Sequence, residues 1–346
     1  MRGILHGQVP SGDAVPRRPT CRHVPYDRVV IEPGDITAAV AALRAGQVIG
    51  LPTETVYGLA ADASNAQAVA RVFAIKGRPD THPVIVHIAG VAHVPQWARE
   101  FPPVARSLAD RFWPGPLTLV LPRAPSVSLQ VTGGQDTVAL RVPAHPVALA
   151  VLREFGGGLA APSANRYGHV SPTTAAHVRH DLGDAVSVVL DGGPSDIGLE
   201  STIVACLEGT VSILRPGRIT AAEIEAVAGP LTGAAAATPR VPGSIASHYA
   251  PRTPVRLVSP SEVEATVLDV QRQGLPVAVL APETAATQAG VTWIAASADP
   301  VAYAHALYAN LRALDDVGAG AIVVARPPHA PEWLAVHDRL TRAAAR

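Results

Sequence analysis

Short aliphatic runs recur along this chain faster than helical segments do, and that imbalance limits the folds open to it. Between residues 29 and 228 such runs stand at 48–51, 84–88, 117–121, 137–142, 158–161, 187–190, 201–206 and 211–214, after a first one at Val29-Val30-Ile31. Helical periodicity covers only 65–75, 103–112, 146–154 and 173–181, plus a helix that Asp35 can cap and that runs to Gly46. Strict β-α-β alternation needs a helix between successive strands. The excess of strands therefore points to an α/β protein with a mixed, twisted sheet and helices packed on it. Thr220 with Glu223 forms a capping box that opens one more helix. Aromatic residues are 4% of the chain, so the core has to come from aliphatic and small side chains.

The pattern changes twice. Residues 229–254 are dominated by Gly, Ala, Pro and Thr without periodicity, which reads as an inter-domain linker. Beyond it, strands at 255–258, 276–281, 291–296 and 320–325 alternate with helices at 260–273, 300–316 and 332–345. Ser259-Pro260 and Asp299-Pro300 mark helix starts, a cap followed by proline in the first turn. This alternation implies a small, Rossmann-like, doubly wound C-terminal domain. It carries no glycine-rich phosphate fingerprint and is assigned no cofactor. The expected organisation is a disordered extension at 1–28, a first domain at 29–230, a linker at 231–254 and a second domain at 255–346.

A formal net charge of +0 speaks against a dedicated nucleic-acid coat, though not against a local basic pocket. Cys21 and Cys206 fit no metal spacing, and reduced thiols in a cytoplasmic setting are expected. No apolar run reaches the ~20 residues of a membrane helix.

The residues suited to chemistry follow the apolar runs. Pro52-Thr53-Glu54-Thr55-Val56-Tyr57-Gly58 comes directly after one of them. Lys76-Gly77-Arg78-Pro79 puts two cations on a short, stiff turn, which suits a polyphosphate. Lys76 is the only lysine in the chain, every other basic side chain of its Lys+Arg 28 being arginine. A lysine kept under such a bias suggests a place that needs a compact ammonium. His87 sits in the strand Val84-Ile85-Val86-His87-Ile88, where a satisfied core histidine is the commoner outcome. Arg141 ends Thr137-Val138-Ala139-Leu140 and points away from the face of Val138 and Leu140, where it can hold a carboxylate or form a structural ion pair. Ala161-Pro162-Ser163-Ala164-Asn165, Ser171-Pro172, Glu200-Ser201-Thr202 and Leu214-Arg215 add hydroxyls, an amide and another arginine beside strand ends. There is no Cys/His metal set and no elbow around a nucleophilic serine. The profile is of a site that binds and positions anionic reactants.

PTETVYG, KGRP, VIVHI, WPGPLT, TVALRVP, APSAN, DGG, ESTIV and LRPG occur here in the order found in YrdC-like domains. Over residues 29–346 the chain resembles the threonylcarbamoyl-adenylate synthases in their long form. Ser247-His248-Tyr249-Ala250-Pro251 and Asp338-Arg339-Leu340 resemble that form's own signatures. The resemblance implies a YrdC-like twisted sheet and a reaction among L-threonine, bicarbonate or CO2, and ATP. Threonine's amine would become a carbamate that attacks the α-phosphorus, and pyrophosphate would leave. The adenylate would pass to a separate complex that modifies tRNA. The resemblance places Thr53, His87, Arg141, Ala161 and Ser201 around threonine, and Lys76, Asp80, Thr137, Ser163, Asn165, Ser171, Arg215 and Tyr249 around ATP. Lys76 and Arg78 would be catalytic. Mg²⁺ would travel with ATP, with no metal bound by the protein itself, and no membrane would be involved. Tyr249 would make the linker a lid. Two alternatives stand beside it: an RNA-binding module, disfavoured by neutral charge and few aromatics, and a carbamoyl-transfer domain of the same fold, which usually accompanies zinc-binding segments absent here.

Overall fold

The computed structural model describes residues 33–233, 238–243, 248–282 and 289–345. The expected extension at 1–28, the run Val29-Val30-Ile31, Cys21 and Ser247 lie outside the described residues.

Among the described residues nine strands form a mixed sheet: β1 (Ile49–Leu51), β2 (Gly58–Asp62), β3 (Ile85–His87), β4 (Leu117–Pro122), β5 (Thr137–Arg141), β6 (Leu159–Ala160), β7 (Val188–Val189), β8 (Thr202–Leu207) and β9 (Thr210–Arg215). Their order is β7-β1-β2-β6-β3-β5-β4-β8-β9, with β1/β7, β3/β5 and β4/β8 parallel and the other neighbours antiparallel. Eight helices accompany this sheet among the described residues: α1 (Pro33–Arg44), α2 (Ala66–Lys76), α3 (Val94–Trp97), α4 (Pro103–Phe112), α5 (Leu129–Thr132), α6 (Pro146–Phe155), α7 (Ala175–Leu182) and α8 (Ala221–Ala228). Strand β2 is not foreshadowed by composition: Gly-Leu-Ala-Ala-Asp has no β-branched or aromatic residue. α1 begins at Pro33, so Asp35 sits inside the first turn, where a carboxylate favours the helix dipole, rather than capping it. Asn65 caps α2 by accepting from the N–H groups of Gln67 and Ala68, and Thr220 and Glu223 form the expected box at α8.

Side chains in the central strands alternate between two environments. Val86, Leu119, Leu140 and Val204 face a core closed by Trp97, Leu108 and Ile224. Ile85, Val120, Ala139 and Ile203 face the other way, where Val241 covers them. This second face positions the site, because the same parity continues to His87, Thr118, Arg141 and Ser201.

The remaining strands, β10 (Val255–Val258), β11 (Val277–Ala281), β12 (Val291–Ala295) and β13 (Ala321–Ala325), form an all-parallel sheet in the order β10-β13-β11-β12. Its helices are α9 (Val263–Arg272), α10 (Pro300–Asp315) and α11 (Leu334–Ala343). Asp299 caps α10 through the N–H of Ala302, and Ser259 with Glu262 boxes the turn that leads into α9. One apolar cluster joins this sheet and its helices to Val56, Val170 and Leu199 of the first. No helix among the described residues is long and apolar enough to cross a membrane.

Candidate functional site

Strand parity builds the floor of the site. β3 and β5 are parallel, with His87 directly opposite Arg141, so both polar residues finish their strands side by side. From β4 and the loop before β8, Thr118 Oγ1 and Ser201 Oγ share a hydrogen bond of 2.7 Å. All four residues are buried. The histidine expected in the core lies on the site face instead.

The walls are loops held by backbone pairing. The turn at 52–58 docks on the 161–165 loop through Leu59 N–H to Pro162 O (2.7 Å) and Ala164 N–H to Tyr57 O (2.9 Å). At the end of α2, Gly77 adopts φ 65, and the N–H of Arg78 returns to Phe73 O. That left-handed turn, easiest for glycine, points Lys76 and Arg78 inward at the helix terminus. Lys76 Nζ donates to the carbonyls of Ser163 and of Asn165, the latter at 2.6 Å. Arg78 donates to Pro83 O at 2.6 Å.

These elements surround a cavity of about 50 Å³ lined by Thr53, Arg78, His87, Arg141, Ala161, Ser163, Ser201, Arg215 and Tyr249, with Glu200, Gly243 and His248 among the others. Nine of the residues singled out from sequence thus meet on one surface. Lys76, Asn165 and Ser171 stand just behind it: Lys76 holds the 163–165 carbonyls, and Ser171 Oγ donates to Glu200 Oε1 at 2.6 Å. Asp80 is exposed and away from the lining. Thr137 begins β5, four residues from Arg141 and so ~13 Å along the strand.

Arginine dominates the electrostatics. Arg141 donates to Glu54 Oε1 (2.6 Å), Thr55 Oγ1 (2.7 Å) and Gly115 O (3.2 Å), so the carboxylate it holds is the protein's own. Arg215 donates to Ser201 O (2.8 Å) and Pro242 O (2.9 Å). Burial, with Arg215 nearby, brings Arg78 down to about 10, while burial and Arg78 push the Lys76 ammonium well below its ordinary range. Cations crowded this way are relieved by an anionic ligand. Burial works in the opposite sense on Glu200, but Arg339 and Arg215 outweigh it and hold the carboxyl at about 2.

Four buried polar atoms of the lining residues lack a hydrogen-bond partner: Arg78 Nε, His87 Nδ1, His248 Nδ1 and Tyr249 OH. Groups left so are costly, and their convergence on one cavity marks a place where a polar ligand would complete them. Glu54, Glu200 and His248 lie within sequence motifs that suggest no role for them. Glu54 meets Arg141 from 87 residues away and Glu200 meets Arg339 from 139, so spacing alone could not reveal those pairs.

Burial lowers His87 and His248 from 6.5 to about 3. Both rings stay neutral in the fold while the unfolded chain takes up protons below about pH 6.5. Their contribution is complete above that pH and is lost as pH falls toward the folded value, on the order of 3 kcal/mol per ring by pH 4.5. Thermal melts should therefore fall between neutral pH and pH 4.5, and the fall should shrink in His87→Asn. An equal fall in that variant would remove His87 as a cause.

A Sua5_yciO_yrdC family model, described as "Telomere recombination", matches residues 41–217, and a Sua5_C model, described as "Threonylcarbamoyl-AMP synthase, C-terminal domain", matches 219–345. A threonylcarbamoyl-AMP synthase of Bacillus subtilis is 41% identical over 320 residues, 89% of this chain and 92% of the relative. One from Pyrococcus abyssi is 37% identical over 325 residues, covering 90% and 95%. Among solved structures, Pyrococcus abyssi Sua5 complexed with L-threonine superposes with a TM-score of 0.85 at 37% identity, covering 91% of this chain and 96% of that one.

Proposed function

The chain belongs to the threonylcarbamoyl-AMP synthase family in its long form, with the C-terminal domain, and from that premise we propose that the arginine-lined cavity is where threonine and ATP react. The activity is the synthesis of threonylcarbamoyl-AMP from L-threonine, bicarbonate or CO2 and ATP, with release of pyrophosphate, the first step toward N6-threonylcarbamoyladenosine in tRNA. The observation that carries the assignment of the site is the convergence of unpartnered buried donors and three guanidiniums on one cavity.

In this reading Thr53, His87, Arg141, Ala161 and Ser201 form the threonine end. Lys76, Arg78, Ser163, Asn165, Ser171, Arg215 and Tyr249 serve the nucleotide, which would have to extend beyond the cavity to meet Asp80 and Thr137. Threonine's nitrogen is the nucleophile toward CO2, and the carbamate oxygen then attacks the α-phosphorus, so no protein nucleophile is needed. Arg78 and Arg215 offset the charge that builds on the leaving pyrophosphate. Neutral His87 accepts or donates one hydrogen bond without adding charge. Magnesium, carried by the triphosphate, would offset further charge. The site's own carboxylates are already paired, Glu54 with Arg141 inside the site and Glu200 with Arg339 behind it. The product would then pass to a tRNA-modifying transferase.

The linker supports a lid. Val241, Tyr249 and Ala250 are buried, Pro242 O accepts from Arg215, and Ala250 N–H donates to Gly168 O at 2.9 Å. A Cβ on Gly243 would fall 2.0 Å from the Tyr249 hydroxyl, so glycine lets the two sides of the segment close together. Pro242, Gly243, His248 and Tyr249 line the cavity from the linker side, so movement of the segment would widen the path for ATP. Closure then keeps water from the carbamate and adenylate.

Incubation with ATP, Mg²⁺, bicarbonate and single amino acids, followed by mass spectrometry, tests the reading. Threonylcarbamoyl-AMP is expected with threonine; its absence, or an equal yield with unrelated amino acids, sinks it. Tyr249→Ala should cut synthesis about tenfold or more by loosening the lid. It should also loosen the backbone at Arg240 enough for trypsin to cleave there even with ATP and threonine present. Full activity together with full protection would reduce the segment to a tether.

A further inference from the structure

Helix α11 buries a guanidinium, which mere docking of the C-terminal domain does not require. The Arg339 side chain is 0% exposed. Its Nε donates to Glu200 Oε2 at 2.8 Å, another nitrogen pairs with Asp338, and Cζ lies 5.1 Å from the ring centroid of Tyr249. From α10, Tyr308 donates its hydroxyl to the same Oε2 at 2.8 Å and stacks on Tyr249 with centroids 5.7 Å apart and 26° between planes. The other Glu200 oxygen accepts from Ser171. A carboxylate on the cavity wall is thus gripped by two C-terminal-domain groups on one side and by a candidate nucleotide contact on the other.

Tyr249 adds a second connection. It adopts φ 61, a left-handed conformation that costs a non-glycine residue and persists only where its surroundings impose it. Those surroundings are His248, at 4.1 Å between centroids, and the two residues from α10 and α11. The hydroxyl end of the ring packs directly against Gly243 in the cavity lining.

We propose that Arg339 is a positioning residue for the synthesis: through Glu200 it fixes Ser171, and through the Tyr249 ring it holds the 248–250 end of the linker against the site. The inference rests on the reading of the cavity as the synthase site. Arg339 does not line the cavity, so its effect falls on nucleotide binding and closure rather than on the bond-making step. Lysine keeps the charge but offers neither the planar face for Tyr249 nor the fork that serves Glu200 and Asp338 together.

The test is steady-state kinetics of the full-length enzyme with Arg339→Lys and Arg339→Met, alongside melting curves and trypsin cleavage at Arg240. Arg339→Lys is expected to melt near the wild-type temperature and to raise KM for ATP about tenfold, with kcat changed far less. It should also lose ligand protection at Arg240. Arg339→Met should raise KM further; if it fails to fold, Tyr308→Phe carries the test with an expected rise of about threefold. In a Tyr249→Ala background, Arg339→Lys should add less than about twofold, because the two act together. An unchanged KM in Arg339→Lys overturns the proposal, as do effects of Arg339→Lys and Tyr249→Ala that simply multiply. So does a fall in kcat alone that matches the loss of folded protein. A wild-type enzyme that makes no threonylcarbamoyl-AMP overturns the site reading itself; a normal wild type beside an unaltered Arg339→Lys overturns the positioning role alone.

Discussion

Lys76→Ala is expected to abolish pyrophosphate release, and Lys76→Arg to retain only a small part of it. The ammonium is buried at the last residue of α2 and is received by the carbonyls of Ser163 and Asn165. It joins the end of α2 to the loop carrying Ser163 and Asn165, and in the proposed site it would also contribute charge beside the nucleotide. Burial and Arg78 weaken its hold on the proton, and an incoming polyphosphate would strengthen that hold. A guanidinium is planar and longer, and cannot donate to two converging carbonyls from the same point without displacing them. Losing one preorganised donor at a developing anion costs about 10²–10³ in rate. A coupled pyrophosphate assay on variants with normal circular dichroism decides the matter, and a fully active Lys76→Arg enzyme would show that the ammonium is not required.

Arg141→Leu carries the second large effect, and the Glu54 pair sharpens it. Removal of the guanidinium strands a carboxylate that is 5% exposed, so the variant should lose about 3–5 kcal/mol of stability. Threonine affinity should fall by about 2–5 kcal/mol while ATP still binds. The two losses separate in the double variant Arg141→Leu/Glu54→Gln, which removes the stranded charge. Stability should return there and threonine binding should not. Calorimetry that finds threonine bound normally in the double variant would make Arg141 a structural partner of Glu54 and nothing more.

The sequence made the strands legible because burial on both faces of a sheet leaves a continuous aliphatic run, and nearly every such run became a strand. It also placed Arg141 on the face opposite Val138 and Leu140, since strand parity is local information. What stayed hidden was pairing across distance. Arg141 finds Glu54 from 87 residues away, and Arg339 finds Glu200 from 139. No periodicity carries such a contact. The neighbours of His87 alone favour a core position, because an apolar neighbourhood looks the same on either face until the partner strands are known. Strand β2 was hidden because small residues satisfy a buried strand without advertising it.

The alternation on β3 and β5 also bears on how this chain can change over generations. Core and site are read from one frame: Val86 and Leu140 belong to the apolar layer, His87 and Arg141 to the site. Insertion of a single residue upstream in either strand would exchange those roles, turning an arginine or histidine into the oil and a valine or leucine toward the substrate. Fold and activity would fail together. Heritable drift at these strands is therefore confined to substitution, while the exposed loops between them are free to vary in length. A library of random one-codon insertions, selected for solubility alone, should come back depleted at 85–87 and 137–141 as thoroughly as one selected for activity.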